Sequence, residues 1–138
     1  MKNSKKLFLI FLSVLIVAFV SCKKDSGGSI TTPTFKLSSL EGTWEEIKDA
    51  NPDTFNIDGQ GKISGSIDGK AVNITIENWD ATKEVTQATA TQNIPSQSSG
   101  DTDLIFTFKD GNSCTVQVKG SQSTTSKNFT KKATATAK

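Results

Sequence analysis

Apolar and polar residues alternate with a period of two along most of this chain from Thr54 onward. Phe55 and Ile57 share a phase, and so do Ile63 and Ile67, with Gly65 between them where it permits a bend. Val72, Ile74 and Ile76 repeat the pattern. Leu104, Phe106 and Phe108 then line one face with Ile105 on the other, and Cys114, Val116 and Val118 follow. A period of two places alternate side chains on one face of a β-strand. The runs predict strands over Thr54–Ile57, Lys62–Ile67, 71–77, 103–109 and Ser113–Lys119, and a last one over 126–134 around Phe129. The Thr- and Val-rich run 84–92 is weakly apolar and reads as an edge strand or an outer hairpin arm.

Turn-forming residues fill the gaps. They are Asp58-Gly59-Gln60-Gly61, Asp68-Gly69 and Asp110-Gly111-Asn112, with a longer polar loop over 93–100 around Pro95. A two-residue Asp-Gly turn between alternating runs is a strong hairpin signal. No window sustains the 3.6-residue apolar period of a helix, although residues 37–40 read as a short helical turn or an irregular lead-in. The expectation is an all-β domain, a small antiparallel up-and-down meander closing into a barrel, with a β-sandwich as the alternative. About twenty large apolar side chains face inward, so burial at roughly 1.5–3 kcal/mol each, against the ordering of the backbone, makes stability modest.

The N-terminus departs from this pattern. Lys2, Lys5 and Lys6 precede an apolar run over residues 7–20 that only Ser13 interrupts, and Ser21 and Cys22 follow. A basic start, an apolar run and a small residue before the cut are the parts of a secretory signal. The run is short for a membrane span, which takes about 20 residues. The segment Ala18-Phe19-Val20-Ser21-Cys22 resembles the lipobox of bacterial lipoproteins. The resemblance implies cleavage between Ser21 and Cys22, a diacylglyceryl group on the Cys22 thiol, and acylation of the new amino group. Ser21-Cys22-Lys23-Lys24-Asp25 is similar to the start of many Bacteroidota lipoproteins, in which lysine and acidic residues after the cysteine act as a surface-export signal. The implied location is the outer membrane, lipid-anchored, with the periplasmic face and the cell surface both open. Each buried methylene contributes about 0.8 kcal/mol and a single chain binds reversibly, so durable attachment takes two or three chains. The domain organisation reads as a signal peptide over 1–21, a lipidated Cys22 with a Gly-, Ser- and Pro-rich tether over 22–35, and a β domain over 36–138.

Composition narrows the chemistry. The chain has no His, Tyr or Arg. Removing Lys2, Lys5 and Lys6 from the 16 basic residues leaves thirteen against 14 acidic ones, a formal charge of −1. That balance argues against a nucleic-acid partner, which calls for a basic face. Without imidazole, Ser-His-Asp and Cys-His catalysis and zinc sites built from His and Cys are excluded. Carboxylate pairs of the glycosidase kind remain formally possible, but most acids here sit in hairpin turns. The expectation is a non-enzyme without a cofactor. With Cys22 lipidated, Cys114 stands alone, in phase with Val116 and Val118, and reads as a buried, inert thiol.

Two further motifs bear on function. Asn56-Ile57-Asp58-Gly59-Gln60-Gly61 has the glycine of a calcium loop, but uncharged Asn56, Gln60 and Ile67 stand where acidic ligands belong, so a hairpin turn is expected. Gly42-Thr43-Trp44 resembles the Gly-x-Trp motif on the first strand of lipocalins and of small lipocalin-like lipoprotein domains. The resemblance implies an up-and-down barrel whose floor Trp44 closes. Trp44 and Trp79 are the candidate ligand-binding residues, Trp79 because it falls out of the phase of Val72, Ile74 and Ile76 and so caps a strand end or sits over an opening. The functions to be weighed are binding of a small apolar molecule or lipid in the barrel mouth, and a structural or protein-interaction module of the envelope.

Overall fold

Alternation becomes sheet nearly everywhere the sequence carries it. The structure, a computed structural model, describes residues 31–97 and 100–133. The expected signal peptide, Ser21, Cys22 and most of the tether lie outside the described residues. The chain forms β1 (Phe35–Lys36), a 3-10 turn (Leu37–Leu40), β2 (Gly42–Glu46), β3 (Thr54–Ile57), β4 (Lys62–Ile67), β5 (Lys70–Thr75), β6 (Glu84–Val85), β7 (Ala88–Ile94), β8 (Thr102–Phe108), β9 (Ser113–Lys119) and β10 (Thr124–Lys131). Eight of the strands make one antiparallel sheet in the order β5-β4-β3-β2-β10-β9-β8-β7. The first long strand pairs with the last, Trp44 opposite Lys131 and Glu46 opposite Phe129. Neighbours around the ring are therefore neighbours in the chain, and the sheet is nearly closed into a barrel. It stays open only between β5 and β7.

The turns explain the register. Asp68 (φ 51°) and Gly69 (φ 72°) both take positive φ, as the tight I′ hairpin requires, and they pair Ile67 with Lys70 across β4 and β5. Asp58 accepts the Gln60 and Lys62 backbone N–H groups on one carboxylate oxygen, at 2.9 and 3.0 Å. That sets the hairpin turn expected in place of a calcium loop. Gly65 lies opposite Phe55. A Cβ there would come within 2.5 Å of the Thr54 carbonyl oxygen, so β4 approaches β3 this closely only with glycine.

One predicted strand divides. The run 84–92 forms two pieces: β6 leaves the barrel to pair with β1, Val85 opposite Phe35, and β7 rejoins the sheet. Only Ala88 and Ala90 in this run are buried, which is why it reads as weakly apolar. They face Phe108 and Phe106 across the β7–β8 pair, so small residues on one strand make room for rings on the next. Strand β5 stops at Thr75, yet Ile76 stays buried, its N–H donating to the Gly61 carbonyl at 2.9 Å.

One end of the barrel is closed by the 3-10 turn. Leu37 and Leu40 are buried there. Backbone bonds from Leu37 to Lys83 and from Ser38 to Ala81, at 3.0 and 3.2 Å, hold the turn in place. Lys131 on β10 donates its Nζ to the Ser39 carbonyl at 2.7 Å. At the opposite end β2 finishes, β3 starts and the β4–β5 hairpin turns.

Candidate functional site

The two tryptophans occupy different environments. Trp44 is fully buried and its Nε1 donates to the Leu40 carbonyl at 2.9 Å, tying β2 to the 3-10 turn. Its ring stacks on Phe55 with centroids 5.9 Å apart and meets Phe108 edge-on at 5.3 Å. Phe55 in turn contacts Phe106 at 5.3 Å and Phe129 at 5.1 Å. Five rings from β2, β3, β8 and β10 thus fill the middle of the barrel in offset and edge-to-face contacts, the arrangements aromatic quadrupoles favour. Trp79 stands apart from this cluster. It is half-buried, and its indole lies flat over the β3–β4 turn with Nε1 donating to the Gly59 carbonyl at 3.2 Å. A Cβ at Gly61 (φ +74°) would sit 2.3 Å from the Trp79 ring. Glycine at 61 is what lets the ring lie down on the turn. Trp79 therefore caps a strand end, one of the two placements its broken phase suggests.

The end away from the 3-10 turn carries a charge cluster. Lys127 is in phase with Phe129 and so points toward the barrel axis. Its Nζ lies 2.6 Å from Asp68, 2.8 Å from Asp53 and 3.3 Å from Glu46. The carboxylates are themselves fixed by the backbone: Asp53 N–H donates to Glu46 at 3.2 Å and Asp68 N–H to Asp53 at 3.0 Å. Burial pushes the Glu46 and Asp53 carboxyls up, but hydrogen bonds from the backbone and from Lys127 outweigh it and hold both below the usual carboxylate range. Burial likewise pushes Lys127 down, and its three carboxylate partners more than reverse that and raise it. Among the described residues no set of His, Cys, Asp or Glu is placed to hold a metal ion; these three carboxylates converge on an ammonium. Nothing in the apolar pattern marks this cluster. The signal that finds it is a charged residue, Lys127, on the phase of a strand otherwise pointing inward.

Two hollows lie at the barrel wall rather than in its middle. One, about 180 Å³, sits where β5 and β7 part, beside Glu77, Asn78, Lys83, Gln87 and Thr89. The other, about 240 Å³, lies by Ile47, Thr107, Thr115 and Asn128. Ile47 is the exposed large apolar residue among those described, at 66 %. Cys114 is buried, and burial pushes its thiol up to about 12. A thiol so poorly ionised is a weak nucleophile. Labelling of Cys114 in the folded Cys22→Ser chain with a thiol-exchange reagent at pH 8 is expected to wait on unfolding, and fast labelling in native buffer would contradict the buried assignment.

Compared with protein-family models, with curated proteins and with solved structures, the chain has no match in any of the three.

Proposed function

We propose that the chain is a lipid-anchored lipoprotein of the bacterial outer envelope whose small, lipocalin-like barrel is a non-enzymatic interaction module. The observation that carries the choice of module over ligand carrier is the filling of the barrel by Trp44, Phe55, Phe106, Phe108 and Phe129 in mutual contact. Pockets that enclose a drug-sized ligand run to about 300–1,000 Å³ and are mostly apolar. Both hollows are smaller; the one beside Glu77 and Lys83 is lined mainly by polar groups, and the more apolar one by Ile47 lies outside the ring cluster that fills the barrel. A lipocalin-like origin draws support from Gly42-Thr43-Trp44 on the first barrel strand and from the ring order of the strands. The anchor rests on Ser21-Cys22 at the end of the apolar run.

Two measurements test this. In the native bacterium, Cys22→Ser is expected to move the chain from the carbonate-washed membrane pellet to the soluble fraction. A variant that still pellets rules out the lipid anchor. Native mass spectrometry of the soluble Cys22→Ser chain, after incubation with a total lipid extract of the same cells, is expected to give the bare polypeptide mass. A discrete adduct that disappears with Trp79→Ala would replace the module with a carrier.

A further inference from the structure

Strands β5 and β7 are the two ends of the sheet order, and Gln92 on β7 bridges part of the seam between them. It accepts the Asn73 N–H on its Oε1 at 2.9 Å and donates its Nε2 to the Ala71 carbonyl at 3.2 Å. Past the end of β5, toward the 3-10 turn, the seam widens into the hollow of about 180 Å³. The backbone on both sides of this hollow is anchored. Ile76 N–H donates to the Gly61 carbonyl at 2.9 Å and Trp79 Nε1 to the Gly59 carbonyl at 3.2 Å, which fixes Glu77 and Asn78 between them. Lys83 N–H donates to the Asp80 carbonyl at 2.9 Å, and the Lys83 carbonyl accepts the Leu37 N–H at 3.0 Å. The side chains are not anchored. Glu77, Asn78, Lys83 and Gln87 all line the hollow, and among the described residues none of the four has a side-chain hydrogen bond or an ion pair. Asp80 acts on Lys83 only through space, its carboxylate being bonded to Thr82 at 2.9 and 2.7 Å. A carboxylate and an ammonium that share so small a space attract one another. These two stay unpaired because they rise from different, fixed stretches of backbone.

We infer that this hollow binds a small zwitterion, a free α-amino acid with an apolar side chain. Its ammonium donates to the Glu77 carboxylate, and its carboxylate accepts from the Lys83 ammonium. The Asn78 and Gln87 carboxamides offer a second partner to either group. Buried Leu37 and Ala88, with half-buried Val85, supply a small apolar floor for the side chain. Size and charge select this class. The hollow lies below the range of about 300–1,000 Å³ that encloses a drug-sized ligand, which excludes a lipid. Its lining carries one charge of each sign, so a simple anion or cation leaves one of them unpaired. A neutral sugar leaves both unpaired, and no aromatic ring lines the hollow for it to stack on. Because the backbone is already fixed, binding has only side chains to order. The inference goes beyond the interaction-module reading and does not depend on it.

The test follows the amide NMR shifts of the isotope-labelled full chain in a non-ionic detergent as L-leucine is added to tens of millimolar. Saturable shifts are expected in residues 77–89 and at Leu37. Two further probes each lose one charge: leucinamide has no carboxylate, and N-acetyl-leucine has no ammonium. Each is expected to bind about fivefold more weakly than leucine, the worth of one exposed ion pair. Lys83→Met should bind leucine and leucinamide alike, and Glu77→Gln should bind leucine and N-acetyl-leucine alike. A general loss of structure does not produce that pairing of probe with variant. Both positions are exposed, and unchanged shifts elsewhere in the spectrum show that the variants are folded. No shifts around the hollow at the highest leucine concentration would overturn the inference. Equal binding of leucine and N-acetyl-leucine by the native chain would do the same, as would tighter binding of glucose than of leucine. None of these outcomes touches the anchor or the module, which the Cys22→Ser fractionation and the lipid-extract measurement test separately.

Discussion

Trp44→Ala is expected to destabilise the domain by about 3–5 kcal/mol, the usual cost of removing a buried Trp or Phe side chain. The ring is fully buried and touches both Phe55 and Phe108, so its loss opens a cavity beside residues from β3 and β8. The same change leaves the Leu40 carbonyl without the indole N–H that satisfies it, inside a residue that is itself fully buried. An orphaned buried acceptor costs about 1–3 kcal/mol. Trp44→Phe keeps one aromatic ring in place while losing the donor and part of the buried volume, so its cost falls below that of alanine. With a total stability in the ordinary range of about 5–15 kcal/mol, the alanine variant keeps a small margin or none. Urea denaturation reads this directly: the midpoint should fall in the order native, Phe, Ala. An unchanged midpoint for Trp44→Ala would mean that the ring does not hold the 3-10 turn against the barrel.

Much of this architecture is legible in the alternation because the barrel has one dry face and one wet face. Leu104, Phe106, Phe108, Val116 and Phe129 all point inward as their phase requires. The Asp-Gly turns set the hairpins locally, and Gly42-Thr43-Trp44 marks the first barrel strand. What stays hidden is non-local. Ala88 and Ala90 are buried because Phe108 and Phe106 lie across from them, and apolar character in a single strand cannot register a neighbour. The break between β6 and β7 depends on β1 arriving to pair with Val85. Lys127 and its three carboxylates come from β10 and from three separate turns or strand ends, and Gln92 reaches a strand some twenty residues away. Of the two tryptophans, position in the alternation separates the core ring from the one that lies on a turn. What Trp79 lies on depends on Gly61, which a one-dimensional reading passes over as one more turn residue.

Lys127→Met is expected to cost about 2–4 kcal/mol at neutral pH, with a sign of pH dependence that identifies the cause. Truncating one partner of a buried ion cluster costs about 3–5 kcal/mol because the remaining charges are left facing one another. Here Lys127 is 14 % exposed and Asp68 is 42 % exposed, so water screens part of the repulsion and the lower figure applies. Met keeps the aliphatic stem, which leaves the charge as the main difference. In the native chain Glu46 and Asp53 are held below the usual carboxylate range. Their contribution is therefore fully present above an unfolded value of about 4 and is lost as the pH falls through their depressed values. Lys127 is raised, so its contribution is present below about 10.4 and is lost only as the pH rises beyond that. The native and Met chains should thus differ by a constant amount between about pH 5 and pH 10, and the gap should narrow below pH 4 as the carboxylates of the variant take up protons. The contrasting substitution is Lys132→Met, whose ion pair with Glu45 stands in solvent and whose loss should leave the denaturation midpoint close to native at every pH. A Lys127→Met deficit as large at pH 3 as at pH 7 would assign the loss to packing of the lysine stem and not to the carboxylates it holds together.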